Sequence, residues 1–124
     1  MAAMEELAGN AHISFEGNLS ALGMVHLPGA TDEETPVLRR NTLRPRQDLV
    51  ILPLETDFIP GIGAAIGGTL PRSIIHIQIE KMGRLELGLY DNFNVRGIFF
   101  GPALAPIFVG RMQTNGLLIE WMER

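Results

Sequence analysis

Residues 73–91 read SIIHIQIEKMGRLELGLYD, with apolar side chains alternating on both sides of Lys81-Met82-Gly83. Ile75, Ile77 and Ile79 occupy one arm, and Leu85, Leu87 and Leu89 the other. A period of two in both arms predicts a half-buried antiparallel β-hairpin. A three-residue loop, Lys81 to Gly83, with Gly83 in the left-handed conformation, sets Glu80 opposite Arg84 and the isoleucines opposite the leucines. The other face then carries His76, Gln78 and Glu80 against Gly88, Glu86 and Arg84. That face reads as a polar surface without recognisable chemistry.

Further hairpins are expected on either side. Gly17-Asn18 is a glycine-first pair suited to a II′ turn between Ala11–Glu16 and Leu19–His26, placing Ile13 opposite Leu22 and His12 opposite Gly23. Asn115-Gly116 is a favoured I′ pair, setting Met112 opposite Ile119, Arg111 opposite Glu120 and Trp121 opposite Gly110. Asp48–Leu54, DLVILPL, is a short apolar run expected as a strand covered on both faces and central to the core, with Pro53 near an edge or bulge. Residues 28–47, PGATDEETPVLRRNTLRPRQ, contain three prolines and dense charge. They read as a long loop with one short edge strand near Val37.

The fold class expected is all-β: an antiparallel sandwich or small barrel of about seven or eight short strands. Residues 1–10 form at most a short helical arm, and 11–124 a single β domain. A chain of 124 residues suits one domain with a real core. The composition, 46% hydrophobic and 19% charged, excludes a disordered chain. With no cysteine, disulfides, thiolate metal sites and cysteine nucleophiles are excluded. MAAMEELAGN is acidic and lacks the basic and apolar regions of a secretory signal, so a cytoplasmic location is expected. The longest uncharged stretches, 58–71 and 97–110, are shorter than the roughly 20 residues of a membrane helix, and no membrane partner is expected.

The net charge of −4 is unevenly laid out. Residues 1–34 hold six acidic and no basic side chains, and residues 35–46 hold four arginines and no acid. Arg39, Arg40, Arg44 and Arg46 suit phosphate binding, because guanidinium groups match phosphate oxygens bidentately. The acidic total and the lack of interleaved aromatics argue against nucleic acid. The plainer reading is a solvated loop whose arginines pair with Asp32, Glu33 and Glu34 just upstream or with a neighbouring subunit.

The glycine-rich run Gly61-Ile62-Gly63-Ala64-Ala65-Ile66-Gly67-Gly68 resembles a dinucleotide fingerprint only superficially, since the chain continues Thr69-Leu70-Pro71-Arg72 into a strand rather than opening a helix. A tightly turning connection is expected there. Its apolar residues must pack against something, either Ile98–Val109 or a second copy of the chain. Metal binding in a cysteine-free β domain would fall to His12, His26 and His76, with Glu16 or Glu80 as carboxylate ligand or general base. No H-x-H or H-E-x-x-H pattern supports that, and Ser14, Ser73, Asp57 and Asp91 lack the motif of a hydrolase nucleophile.

The function expected is that of a non-catalytic, self-associating β domain acting as a binding or structural module. Its contacts run through the loop 58–70 and the segment 97–110, with Ile62, Ile66, Phe99, Phe100 and Leu104 as anchors and the four arginines as a second contact surface. A homo-oligomer is the first expected partner, and another protein or a small ligand the second. No cofactor is expected. The competing class is a metal-dependent or small-molecule-pocket enzyme built on the three histidines.

Overall fold

The segment Ala11–Gly17 (β1) carries Ile13 and Phe15 on one side and His12, Ser14 and Glu16 on the other, and all but His12 are buried. A strand covered on both faces inside a sheet needs partners on both edges, and β1 has them. The computed structural model describes residues 2–67, 71–90 and 98–101. Asp48–Leu54 (β2) and Ile74–Lys81 (β3) flank β1, and Arg84–Leu89 (β4) and Ile98–Phe100 (β5) follow, giving an antiparallel sheet in the order β2-β1-β3-β4-β5. Among the described residues the sheet is open, with β2 and β5 at its edges. The expected closure with Asn115-Gly116, Trp121 and Leu104 lies outside the described residues.

Three expectations are corrected here. Gly17-Asn18 is not a hairpin turn: Ile13 sits opposite Leu52 and Ile79 rather than Leu22, and His12 opposite Pro53 and Glu80 rather than Gly23. A local hairpin would have given β1 one neighbour near in sequence, but its two buried faces require two. β2 is covered on both faces and gives Val50, Leu52 and Leu54 to the core as expected, and among the described residues it stands at the edge of the sheet, which suits Pro53 with its missing N–H. No strand forms near Val37. Among the described residues, 28–47 make the isolated bridges Thr31↔Ile51 and Leu43↔Arg46 and no strand.

The third correction concerns the glycine-rich run. Ile59–Ile66 (α2) is a helix, entered through a 3-10 turn at Thr56–Phe58. Each interior glycine costs a helix about 1 kcal/mol relative to alanine, but Ile62 and Ile66 lie one turn apart and both enter the core. Pro60 falls at the start, where its missing N–H costs nothing. The Gly67 N–H closes the last turn on the Gly63 carbonyl at 3.0 Å.

The β3–β4 hairpin forms as its alternation predicts, with a tighter turn. Met82 and Gly83 both adopt positive φ, 53° and 83°, so the loop has two residues. A register shift at Ile79/Glu80 then sets Glu80 opposite Leu85, Gln78 opposite Gly88 and Ile77 opposite Leu89. The register moves by two along most of the hairpin, and the isoleucines still meet leucines.

One face of the sheet makes the main core. Ile13, Phe15, Leu52, Leu54, Ile77, Ile79, Leu87 and Leu89 pack there against Met4 and Leu7 of the N-terminal helix Ala2–Leu7 (α1), against Leu19 and Met24, and against α2. Lys81 fastens α1: its Nζ donates to the carbonyls of Leu7, Ala8 and Gly9 at 3.0, 3.1 and 2.8 Å. These are the carbonyls that a helix leaves unpaired where it ends. No helix among the described residues is long and apolar enough to cross a membrane.

Gly17 closes β1 at φ 151°, where a Cβ would overlap the Ser73 carbonyl oxygen. We expect Gly17→Ala to destabilise the fold by about 2 kcal/mol or more, read as a lower urea midpoint with an unchanged slope. An unchanged midpoint would mean that the Ser73 backbone gives way freely.

Candidate functional site

The second face of the sheet is not the solvated polar surface that the alternation implied. Ser14, Glu16, His76, Gln78 and Glu86 project from it, and each is at most 5% exposed. They are covered by the loop 28–47, which places Leu38 and Val37 against Leu49, Ile51 and Leu85 in a second, smaller apolar cluster. A buried polar group costs about 1–3 kcal/mol if left unpaired, so the loop must supply partners as well as cover.

It does so with its own backbone. The Glu16 carboxylate accepts the consecutive N–H groups of Asn41 and Thr42 at 2.8 and 3.0 Å. Gln78 accepts the Arg39 N–H at 3.3 Å through Oε1, and donates from Nε2 to the Tyr90 hydroxyl at 3.0 Å. The Thr42 hydroxyl meets His76 Nε2 at 2.7 Å. Tyr90 lies 5.7 Å from the His76 ring, centroid to centroid, and occupies the space above Gly88. Three loop amides are thereby tied to the sheet, and Glu16 holds two of them by charge-assisted bonds.

The fastened loop forms one wall of a cleft of about 630 Å³ along the outer edge of β2. The loop contributes Thr31, Asp32, Arg40, Arg46 and Gln47 to its lining, and β2 contributes Asp48, Leu49 and Val50. The Arg40 side chain is 8% exposed, held by Glu34 Oε1 at 3.3 Å and by the Gln47 carbonyl at 3.2 Å. Arg39 reaches Glu34 at 3.6 Å, so two of the four arginines pair upstream in the plainer sense anticipated. Arg46 is exposed and makes no ion pair among the described residues. Arg44 lies in the tight turn closed by Leu43↔Arg46. A smaller cleft of about 310 Å³, mostly apolar and lined by Leu27, Pro28, Pro53 and Phe58, lies farther along the same edge.

The other anticipated residues are dispersed. Ile62 and Ile66 face the chain's own core. Phe99 pairs with Gly88 in β5 and is 43% exposed. Phe100 is placed opposite Leu87, its side chain lying outside the description, as does Leu104. The histidines do not converge. His76 is under the loop, His26 is exposed on the 3-10 turn Met24–His26, and His12 bonds Glu80 Oε1 at 2.6 Å. His12 stands opposite Glu80, four residues or about 13 Å along β3 from His76. The second Glu80 oxygen accepts the Gly83 N–H. Among the described residues no three histidine, aspartate or glutamate side chains gather as a metal would require.

The Thr42–His76 contact has the spacing of a nucleophile and its base. An acyl-transfer site also needs free donors for the oxyanion, and the N–H groups of Asn41 and Thr42 are given to Glu16. The Thr42–His76 contact joins the loop to β3 as a clasp. Sequence reasoning missed Thr42 and Asn41, because nothing in TPVLRRNTLRPR marks which residues meet a sheet 25 positions away. The one signal the sequence carries is a carboxylate, Glu16, beside Ile13 and Phe15 in the strand-like run AHISFEG. Comparisons with protein families, with curated proteins and with solved structures find no match.

Replacing Glu16 by Gln turns one acceptor toward an N–H as a donor. Glu16→Gln is expected to cost about 2–3 kcal/mol and to remove hydrogen-exchange protection at the Asn41 and Thr42 amides. Loss of protection there, with the β3 amides unaffected, is the readout that the clasp predicts.

Proposed function

We propose that the protein is a non-catalytic binding module whose ligand occupies the cleft along the outer edge of β2. The observation that carries this reading is a rigid wall: Arg40 is buried and locked by Glu34 and Gln47, while Arg46 beside it has no acidic partner among the described residues. One fixed guanidinium, at Arg40, and one exposed guanidinium, at Arg46, line a cleft of about 630 Å³, a size within the range of small-ligand sites. Asp32 in the same lining favours ligands that also carry a donor or a positive group.

Self-association belongs to the same proposal, with a changed surface. Ile62 and Ile66 are spent in the chain's own core, so contact between copies is assigned to Phe99 and the segment 97–110. Extension of the sheet beyond β5 to seven or eight strands, as a sandwich that leaves the outer edge of β2 free, and a cytoplasmic location go with this reading.

A fragment set screened against the ¹⁵N-labelled protein should shift the amides of Thr31, Asp32, Gln47 and Leu49 together. Shifts that cluster elsewhere, or none at all, would reject the cleft as the site. Sedimentation velocity over a hundredfold concentration range should show an assembly larger than the monomer, reduced to monomer by Phe99→Asp. A monomer at every concentration would remove the self-association.

A further inference from the structure

The outer edge of β2 is closed at one residue and open at the next. Thr31 and Ile51 exchange both backbone hydrogen bonds, at 3.0 and 2.7 Å, so the Ile51 N–H and C=O point away from β1. Backbone groups along a strand alternate in direction with a period of two. The N–H and C=O of Leu49 therefore point off the same edge, into the cleft. An antiparallel ladder continued from Thr31↔Ile51 would bring Glu33 opposite Leu49.

That continuation is prevented locally. The Glu33 N–H, the donor that would reach the Leu49 carbonyl, is turned back to the Thr31 hydroxyl at 3.2 Å. This is the short-range bond by which Ser and Thr compete with sheet pairing. Pairing stops after a single bridge, and no described residue offers the outward groups of Leu49 a hydrogen bond. Arg46, in the lining of the same cleft, stands exposed.

We propose that this gap binds an extended peptide by strand addition at Leu49, with an acidic side chain of the peptide meeting Arg46. The proposal rests on the cleft being the ligand site and names its ligand class. Main-chain bonds to Leu49 supply the affinity and Arg46 the preference for acid, the division of labour usual where a peptide augments a sheet edge. The gap is short. The bridge at Ile51 closes one end, and Pro53 beyond it has no N–H to offer, so a few residues of peptide fit where the long edge of another sheet does not.

The probe is a pool of N-acetylated, C-amidated pentapeptides with a central Glu and random flanks, titrated into the ¹⁵N-labelled protein. Binding should move the Leu49 amide downfield and slow its hydrogen exchange. Two further pools are N-methylated at alternate residues, odd in one and even in the other. A strand presents its amides to one neighbour at every second residue, so one methylated pool should lose roughly tenfold or more in affinity and the other little. Arg46→Glu should weaken the unmethylated pool roughly tenfold.

Equal binding of both methylated pools at the cleft would overturn strand addition while leaving the cleft as the ligand site. So would shifts at the cleft with the fragment set but none with the peptides. Silence at the cleft with every probe would overturn both readings. Protection of the Leu49 amide that rises with protein concentration in the absence of peptide would mean that a second copy fills the edge, and would also overturn the proposal.

Discussion

The Glu16 carboxylate is the constraint on which the rest of the second face depends. It stands on the central strand, 2% exposed, and no cation pairs with it among the described residues. A buried carboxylate without hydrogen bonds would cost several kcal/mol, so the strand is acceptable at the centre of the sheet only while the amides of Asn41 and Thr42 are in place. Those amides come from a proline-broken segment with no ladder of its own to satisfy them. Each side therefore needs the other, and this mutual need converts a charged, irregular loop into a fixed part of the protein.

Fixing the loop has a second effect one residue away. Because Arg39 and Asn41 are tied down through their N–H groups, Arg40 between them is directed to Glu34 and the Gln47 carbonyl rather than into water. The cleft inherits its rigidity from the sheet beneath it, although every residue of its arginine wall lies in loop sequence. This arrangement places recognition groups on a connection while a regular scaffold sets their geometry.

Legibility in the sequence followed the range of the interaction. The β3–β4 pairing was legible because period-two alternation is a local signal that survives a change of turn: Met82 joins Gly83 at positive φ, and a shift at Ile79/Glu80 keeps the inward residues inward. The placement of β1 was not legible. Gly17-Asn18 carries good turn chemistry, and only the burial of Ser14 and Glu16 together with Ile13 and Phe15 reveals that the strand must be central. For α2, two glycines inside the helix and two directly after it obscured a helical stripe of Ile59, Ile62 and Ile66 that spacing alone would have supported. The site was least legible, since its fastenings join backbone amides of the loop to side chains 25 to 39 residues away.

The grip of Lys81 on the end of α1 spans 74 residues of chain, and it sets an order of events during synthesis. The α1 helix leaves the ribosome some 74 residues ahead of Lys81, so the carbonyls at its end and the apolar side chains of Met4 and Leu7 find their partners only after β3 has emerged. β1 likewise waits for both of its neighbours. At roughly 5–20 residues per second, that leaves several seconds in which Met4, Leu7, Ile13 and Phe15 are made but uncovered. The nascent chain, more than the finished protein, is where this architecture is exposed to aggregation and where a chaperone would have most to hold.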